Sequence, residues 1–303
     1  MSKAEYDFQV ATARGAMMHY DRAWYASAAS VLTQCGLRNL RCLDLCCGNA
    51  EFAEILRDRF GMQVTCADYA PVHLEHARGL GFDVLEVDLD ADAPALERTI
   101  NTVRGQFDLI VSLATIEHVF DSNNVFTLCY HALKPNGLFL VNTPNISFAA
   151  YRMYSTFSGN RPFEEGHHIR FWTYRFLRTN LFLNGFDVLQ DARRFYALPE
   201  IVFQRAFRGR TILARMVTRA FYICEILQHL PFGKEFFTDQ LTVQARKSAI
   251  PPLGFGVPSV QRALAEMSDA DMRAQAVERI KQAHVRGWLT ESPYMTSFVK
   301  ELK

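Results

Sequence analysis

The sequence predicts a doubly wound α/β fold with a mostly parallel central sheet. Three observations carry this. Residues 41–53 read as a short buried strand, a turn of small residues and the start of a helix. Short apolar runs at 63–69, 82–89, 107–113 and 138–141 then alternate with stretches of helical periodicity. An acid, Asp68, closes the second run about 20 residues past the small-residue turn, the spacing of a nucleotide-binding βαβ unit.

The opening residues, 1–39, read as helical. Met17, Met18, Tyr20, Trp24, Ala28, Val31 and Leu32 form an apolar face, and Gly36 is a stop signal. Two readings stand for this stretch: a lid over a bound ligand, or a helix whose aromatics cover the sheet. Leu40, Cys42, Leu43 and Leu45 then make a run suited to a central parallel strand. Cys46, Cys47, Gly48 and Ala50 are small, so a ligand can lie against the backbone there. Phe52, Ala53, Ile55, Leu56 and Phe60 recur at helical spacing, and that helix's N-terminus presents free N–H groups. A dehydrogenase glycine loop is the rival reading of this turn.

Gln63–Tyr69 is the second strand, followed by Pro71 and a helix over 72–79. Asp68 reads either as a ribose-binding acid or as a helix cap. Phe82–Leu89 is the third strand, running into the acidic stretch 88–92. Phe107–Leu113 is the fourth and leads into Ile116-Glu117-His118-Val119; a helix follows over 122–133. Lys134-Pro135-Asn136-Gly137 reads as a turn in which Pro sets φ and Gly accepts positive φ. The fifth strand closes at Thr143-Pro144-Asn145. An aromatic excursion over 146–163 precedes His167-His168-Ile169-Arg170-Phe171-Trp172. Gly185 stops a helix, Phe186–Leu189 is the sixth strand, and Asp239–Lys247 is the last.

The loop Asp44-Leu45-Cys46-Cys47-Gly48-Asn49-Ala50 resembles the nucleoside-binding loop of class I S-adenosylmethionine-dependent methyltransferases, usually Asp-Leu-Gly-Cys-Gly-x-Gly. Cys46 and Ala50 replace two of its glycines; cysteine in the first place also occurs in quinone-type C-methyltransferases. Phe107-Asp108-Leu109-Ile110, Ile116-Glu117-His118-Val119 and Leu133-Lys134-Pro135-Asn136-Gly137 are similar, in order and spacing, to the ubiquinone O-methyltransferase type. A dehydrogenase is not expected to carry the last two. The piece from His168 to Thr173, with Leu177, Leu181 and Gly185–Val188, is similar to a subset that often methylates glycans, quinone precursors or other hydroxyl-bearing metabolites.

The resemblance covers about residues 40–190 and 238–247. It implies a seven-stranded sheet with the last strand antiparallel, between the fifth and sixth. It implies S-adenosylmethionine as cofactor and S-adenosylhomocysteine as product. Asp44, Cys46, Cys47, Gly48 and Asn49 would hold the cofactor, and in the lid reading of 1–39 Tyr20 lies on its methionine end. Asp68 would take the ribose hydroxyls, Tyr69 the adenine face, and Asp88 and Leu89 the adenine edge and ring. For Asp88 the plain alternative is a solvated turn. The expected organisation is a lid at 1–39, a methyltransferase domain at 40–247 with a helical insertion at 199–237, and a helical extension at 248–303.

Methyl transfer to a hydroxyl benefits from a base within hydrogen-bond reach, and histidine titrates near neutrality. His168 and then His118 are the candidate bases, since both follow carboxyl ends of central strands. The plain readings are a helix cap for His118 and an orienting role for His168. Tyr151, Tyr154, His167 and Arg170 are candidate acceptor contacts. The expected acceptor is a small, glycan-linked or lipid-linked metabolite. N- or C-methylation of a small metabolite, and a non-catalytic scaffold on the same fold, are the alternatives; Cys46 and Ala50 motivate the second.

Composition narrows the field further. The chain has 303 residues, 49% of them hydrophobic, and a formal net charge of +1. No charge excess favours nucleic acid, and the Asn-Pro-Pro-Tyr signature of base methyltransferases is absent. The seven cysteines show no metal-type spacing, so no metal is expected, and they suit a reducing cytosol. Residues 1–7 carry no apolar signal core, and no run approaches the ~20 residues of a membrane span. A cytoplasmic protein is expected. Within 208–227, Arg208, Arg215 and Arg219 oppose the apolar face Ile212, Leu213, Met216, Val217, Ala220, Phe221 and Leu227. Such a helix lies on an anionic membrane surface, caps the substrate pocket or forms a dimer contact. Ser268-Asp269-Ala270-Asp271 caps a last helix, with a stripe of Met272, Ala276, Ile280 and Ala283.

Overall fold

The computed structural model describes residues 22–159, 168–192, 211–230, 233–254, 257–289 and 293–302. Tyr20, His167 and Arg208 lie outside them. The chain runs α1 (Arg22–Gln34), β1 (Arg41–Leu45), α2 (Glu51–Phe60), β2 (Gln63–Asp68), α3 (Pro71–Gly79), β3 (Asp83–Glu86), α4 (Ala93–Val103), β4 (Phe107–Leu113) and α5 (Ser122–Ala132). It continues through β5 (Leu133–Pro144), α6 (Ala149–Ser158), α7 (Tyr174–Leu183), β6 (Phe186–Asp191), α8 (Thr211–Leu227), α9 (Gly233–Phe237) and β7 (Gln240–Lys247). Three helices follow: α10 (Val257–Glu266), α11 (Ala270–Val285) and α12 (Pro293–Glu301).

The seven strands form one sheet in the order β3-β2-β1-β4-β5-β7-β6. The first five pair in parallel; β7 is antiparallel to both β5 and β6. Both faces are covered, so β1 and β4 are buried almost throughout. Leu43, Leu45, Ile110 and Val141 pack on one side with α5 and α7. Cys42, Cys66, Leu109 and Leu140 pack on the other with α1 and α2. The described part of the N-terminal stretch is therefore a packing helix. Ser27 Oγ in α1 donates to Thr242 Oγ1 of β7 at 2.9 Å, and Tyr25 stacks on Phe52 with ring centroids 5.2 Å apart.

Two local expectations need correction. The third strand stops at Glu86, because its partner β2 ends at Asp68, opposite Glu86. In the Lys134–Gly137 piece, the left-handed residue is Asn136, at φ 61°, and not Gly137. Gly137 is required for a different reason: a Cβ there would stand 2.9 Å from the Lys134 carbonyl oxygen and 3.0 Å from the Leu133 side chain. Asp108 anchors the same piece, accepting from Lys134 Nζ at 2.7 Å and from Arg41 N at 3.1 Å. That part of the family motif is a sheet fastening at the end opposite the site.

The helices after β7 pack on the domain. Ala276, Ile280 and Ala283 of α11 join Phe182, Leu183, Ile250, Val260 and Leu264 in a third apolar cluster. Arg279 fixes this layer, donating to Asp187 Oδ1 at 2.8 Å and to the Phe186 carbonyl.

Candidate active site

All parallel strands deliver their carboxyl ends to one edge of the sheet, the edge at which open α/β sheets bind ligands. Four loops meet there. The first follows β1. Cys46, Gly48 and Ala50 take φ values of 61°, 53° and 60°. These are the three places where the resembling family has glycine, so the motif marks three left-handed residues. The backbone turns survive the substitutions, at a cost of roughly 1–2 kcal/mol for each non-glycine residue held there. Ala50 is also the N-cap of α2 and has no side-chain cap bond. Ala50→Gly is therefore expected to stabilise the fold by about 0.5–1 kcal/mol, the relief of strain less the added freedom of the unfolded chain. Equilibrium urea unfolding checks it.

Asp68 ends β2 and is 3% exposed. Its Oδ2 accepts from Gly48 N at 3.0 Å and its Oδ1 from Ala70 N at 2.9 Å. The N-cap of α3 is Ala70, so the cap reading of Asp68 fails, and its carboxylate ties the β1 loop to the β2 turn. Asp44, in β1, is equally buried, and its Oδ2 has no hydrogen-bond partner among the described residues. Burial first, and the neighbouring Asp68 second, push the Asp44 carboxyl up to about 7. By linkage, an acid raised in the folded state contributes stability below its unfolded value near 4 and loses it as pH rises through about 7. Asp44→Asn is expected to flatten that decline, by an amount on the order of a few kcal/mol, in denaturant titrations between pH 4 and pH 8.

After β3, Val87 N donates to the Asp68 carbonyl at 3.0 Å, which brings the 87–90 loop beside Asp68. Leu89 is buried; Asp88 is exposed and accepts from Asp90 N at 2.9 Å, a solvated turn in this conformation. Tyr69 is half-buried at the same edge. Asp90 and Asn124 bind the loop onward: Asp90 Oδ1 accepts from Phe120 N at 2.7 Å, and Asn124 Nδ2 donates to the Leu89 carbonyl at 2.8 Å.

The fourth loop follows β4. Ala114 is left-handed at φ 53°, and Thr115 Oγ1 lies 3.4 Å from the Leu45 carbonyl, joining this loop to the first. Residues 168–172 dock on it, and Trp172 makes an isolated parallel bridge to Asn145. Ile169 N and Arg170 N both donate to the Glu117 carbonyl, at 2.9 and 3.1 Å. Arg170 Nε donates to Val119 O at 3.1 Å and its terminal nitrogen to Phe120 O, while Trp172 Nε1 donates to Ile116 O. This docking brings His168 onto His118, with ring centroids 4.6 Å apart, edge to face.

Glu117 belongs to a family-type motif, yet sequence reasoning assigns it no role. It is 1% exposed; Oε2 accepts from Thr143 Oγ1 at 2.9 Å, and Oε1 has no partner among the described residues. Burial pushes it up to about 7. One ligand-type atom from each of Glu117, His118 and His168 lies within 4.8 Å of the others. The signal available in the sequence is an acid beside a histidine at a strand end.

Tyr151, on α6, packs edge-on to Phe148 at 4.9 Å; burial, then the nearby Asp239, raise its phenol. Tyr154 is on the same helix, and its side chain lies outside what is described. On α8, Ile212, Met216 and Ile226 are 76%, 64% and 70% exposed, beside exposed Arg215 and Arg219.

The residues fit S-adenosylmethionine. Beyond its two chain neighbours, no atom of the described residues lies within 4 Å of where a Cβ on Gly48 would stand, so a ligand has room against that backbone. Asp44 Oδ2 and Asn49 Oδ1, without partners among the described residues, are acceptors suited to an ammonium group.

Comparison with known proteins agrees. The family described as "Methyltransferase domain" matches residues 18–191, more than half of the chain. Ubiquinone biosynthesis O-methyltransferases from Xanthomonas oryzae and Cereibacter sphaeroides are each 32% identical, over 117 and 120 residues. Those matches cover 39% and 38% of this chain, and 48% and 45% of the relatives. The chain thus spans about half the length of the curated relatives it matches. Among solved structures, a Haloferax volcanii putative methyltransferase in complex with its Trm112 activator aligns with TM-score 0.54, at 16% identity, over 80% of this chain and 98% of that one. The [4+2]-cyclase SpnF aligns with TM-score 0.51, at 17% identity, over 77% and 83%. These two likenesses show the fold alone. The glycine-position turns, the buried acid at the end of β2 and the matched family domain lead to one conclusion: the chain belongs to the methyltransferase domain family.

Proposed function

We propose that this chain is an S-adenosylmethionine-dependent methyltransferase that acts on a hydroxyl oxygen of a small or carrier-linked metabolite. The observation that carries the reading is the pair of imidazoles, His118 and His168, brought together beside the cofactor loop at the end of β4. When bound, S-adenosylmethionine supplies a methyl group on a sulfonium, an electrophile that needs in-line approach by the acceptor. Asp44, Gly48, Asn49 and Asp68 would hold it, with Tyr69, Asp88 and Leu89 at its adenine. His168, with His118 as the second candidate, accepts the hydroxyl proton as the oxygen becomes nucleophilic. Arg170 holds the 116–120 loop in place, and Tyr151 orients the acceptor. The names of the matched relatives favour oxygen over nitrogen or carbon. Incubation with methyl-labelled S-adenosylmethionine and a panel of hydroxylated, amine and carbon-acid acceptors tests the reading. Label confined to amines or carbon would overturn it.

The exposed stripe Ile212, Met216, Ile223 and Ile226 on α8, flanked by Arg215 and Arg219, supports contact with an anionic lipid surface. Sedimentation with phosphatidylglycerol vesicles is expected, and loss of it in Ile212→Glu/Ile226→Glu. Equal binding to neutral vesicles, or a dimer by light scattering that the double variant dissolves, would count against this.

A further inference from the structure

We infer that the seam between α1, the end of β6 and the residues that follow α8 is a binding site for a small, neutral, polyhydroxylated molecule of monosaccharide size. A cavity of about 260 Å³ opens there. At roughly 30 Å³ of liquid volume per water it has room for roughly nine waters, and it falls below the ~300 Å³ at which drug-sized sites begin. None of its described lining residues belongs to the four loops of the candidate active site. The sheet order places β6 three strands from β4, about 14 Å at ~4.8 Å per strand.

Helix α1 carries two stripes. Ala28, Val31 and Leu32 are buried against the sheet. Ser27, Ser30 and Gln34, at helical spacing i, i+3, i+7, make the neighbouring stripe and border the cavity. Ser27 is 2% exposed, in a seam that is otherwise apolar. A polar line runs from it into the sheet. Ser27 Oγ donates to Thr242 Oγ1 at 2.9 Å, and Asn142 Nδ2 donates to the same oxygen at 2.8 Å. Asn142 is wholly buried, and its Oδ1 has no partner among the described residues. Polar groups kept where apolar ones would stabilise more mark a functional site.

The facing wall is polar too, and its side chains are already posed. Gln190 Nε2 donates to Gln34 Oε1 at 3.0 Å, Gln34 Nε2 to Ser30 Oγ at 3.1 Å, and Cys35 Sγ to Gln190 Oε1 at 3.3 Å. The register of β6 on β7 shifts just before Gln190, a bulge of the kind that re-aims a strand side chain. Each amide keeps a second N–H and Ser30 keeps its O–H, so the chain of bonds holds donors ready for a ligand. Side chains posed in advance lose less freedom on binding. Gln228, 5% exposed, borders the cavity from the α8 side.

The charges decide the ligand class. Apart from the exposed His229, Asp191 and Lys234 are the ionisable residues among the described lining. Lys234 Nζ stands 4.0 Å from Asp191 Oδ2 and donates to the Asp191 carbonyl at 3.3 Å. The two offset each other, so an ion finds little net attraction. Ala192 is the one described lining residue without a polar side chain, so an apolar ligand finds little surface to bury against. Amides and hydroxyls both donate and accept, and a polyol matches them group for group.

The test is titration of the full chain, by calorimetry and ligand-observed magnetic resonance. The probes are glucose, mannose and myo-inositol, with glucuronate and inorganic phosphate as charged controls. One equivalent of a neutral polyol is expected to bind at about millimolar Kd, the range open to a ligand of so few atoms, and the anions no tighter. Ser30→Phe fills the cavity and should abolish binding. Gln34→Leu, at an exposed position, should weaken it about 10-fold through lost hydrogen bonds. Thermal melts check that both variants fold, and the exposed Gln34 variant decides if the other does not. S-adenosylmethionine titrated into the saturated protein should bind as it does to the free protein. No binding by these polyols, preference for an anion, undiminished binding in a folded variant or competition with S-adenosylmethionine would each overturn the inference. Methyl transfer does not enter the readout, so the result stands apart from the function proposed above.

Discussion

Asp68→Ala is expected to weaken S-adenosylmethionine binding by roughly a hundredfold. The carboxylate accepts two bonds, from Gly48 N and Ala70 N, and so fixes the β1 loop, the proposed cofactor site, to the β2 turn. Loss of such bonds leaves two N–H groups without an acceptor and costs about 1.5–3 kcal/mol each. About 2.8 kcal/mol felt in cofactor binding is a hundredfold in Kd. Calorimetry with S-adenosylmethionine and S-adenosylhomocysteine reads the effect, and a thermal melt separates it from unfolding. Asp68→Asn retains one acceptor oxygen and should fall between the two. Unchanged cofactor affinity in the folded alanine variant would remove Asp68 from the cofactor site.

The second large effect is expected at His168. His168→Ala should lower kcat by about 100-fold or more, the range for loss of proton-transfer catalysis, and leave cofactor affinity within a few-fold. The separation follows from placement. His168 reaches the site through the 168–172 segment and the β4 loop, whereas Asp44, Gly48, Asp68 and Leu89 lie on β1, β2 and the loops that follow β1 and β3. Single-turnover assays with labelled cofactor measure the chemical step, and calorimetry measures binding. Equal loss in both would assign His168 to the cofactor pocket. His118→Ala should show a similar pattern, since the rings are in contact.

Asp68 and His168 are both legible as candidates in the amino-acid sequence, for different reasons. Asp68 sits at a fixed distance from a recognisable loop within one βαβ unit, so local spacing suffices. His168 is reached by its position after a strand, which says nothing of what it touches. The role of Glu117 is not legible. An acid in a strand-end motif reads as solvent-facing until its neighbours are known, and here burial and one bond from Thr143 define it. Arg170 is a sequence candidate for the acceptor; its bonds to Val119 and Phe120 show it holding a loop.

The sequence by itself determined the layers, the order of elements and the small-residue turn after β1. Apolar periodicity reports which face of each element is buried, and three glycine-type positions in one turn report left-handed backbone, even where Cys46 and Ala50 fill two of them. It did not determine which residue of Lys134–Gly137 turns left-handed, because a crowded neighbour and a positive φ both select glycine. Nor did it determine the meeting of Glu117 and His118 with His168, about 50 residues further along. That depends on strand order, on the register of β4 with β5, and on backbone bonds between loops. Contacts between loops are set by where the sheet delivers their ends, and no periodicity within either loop encodes them.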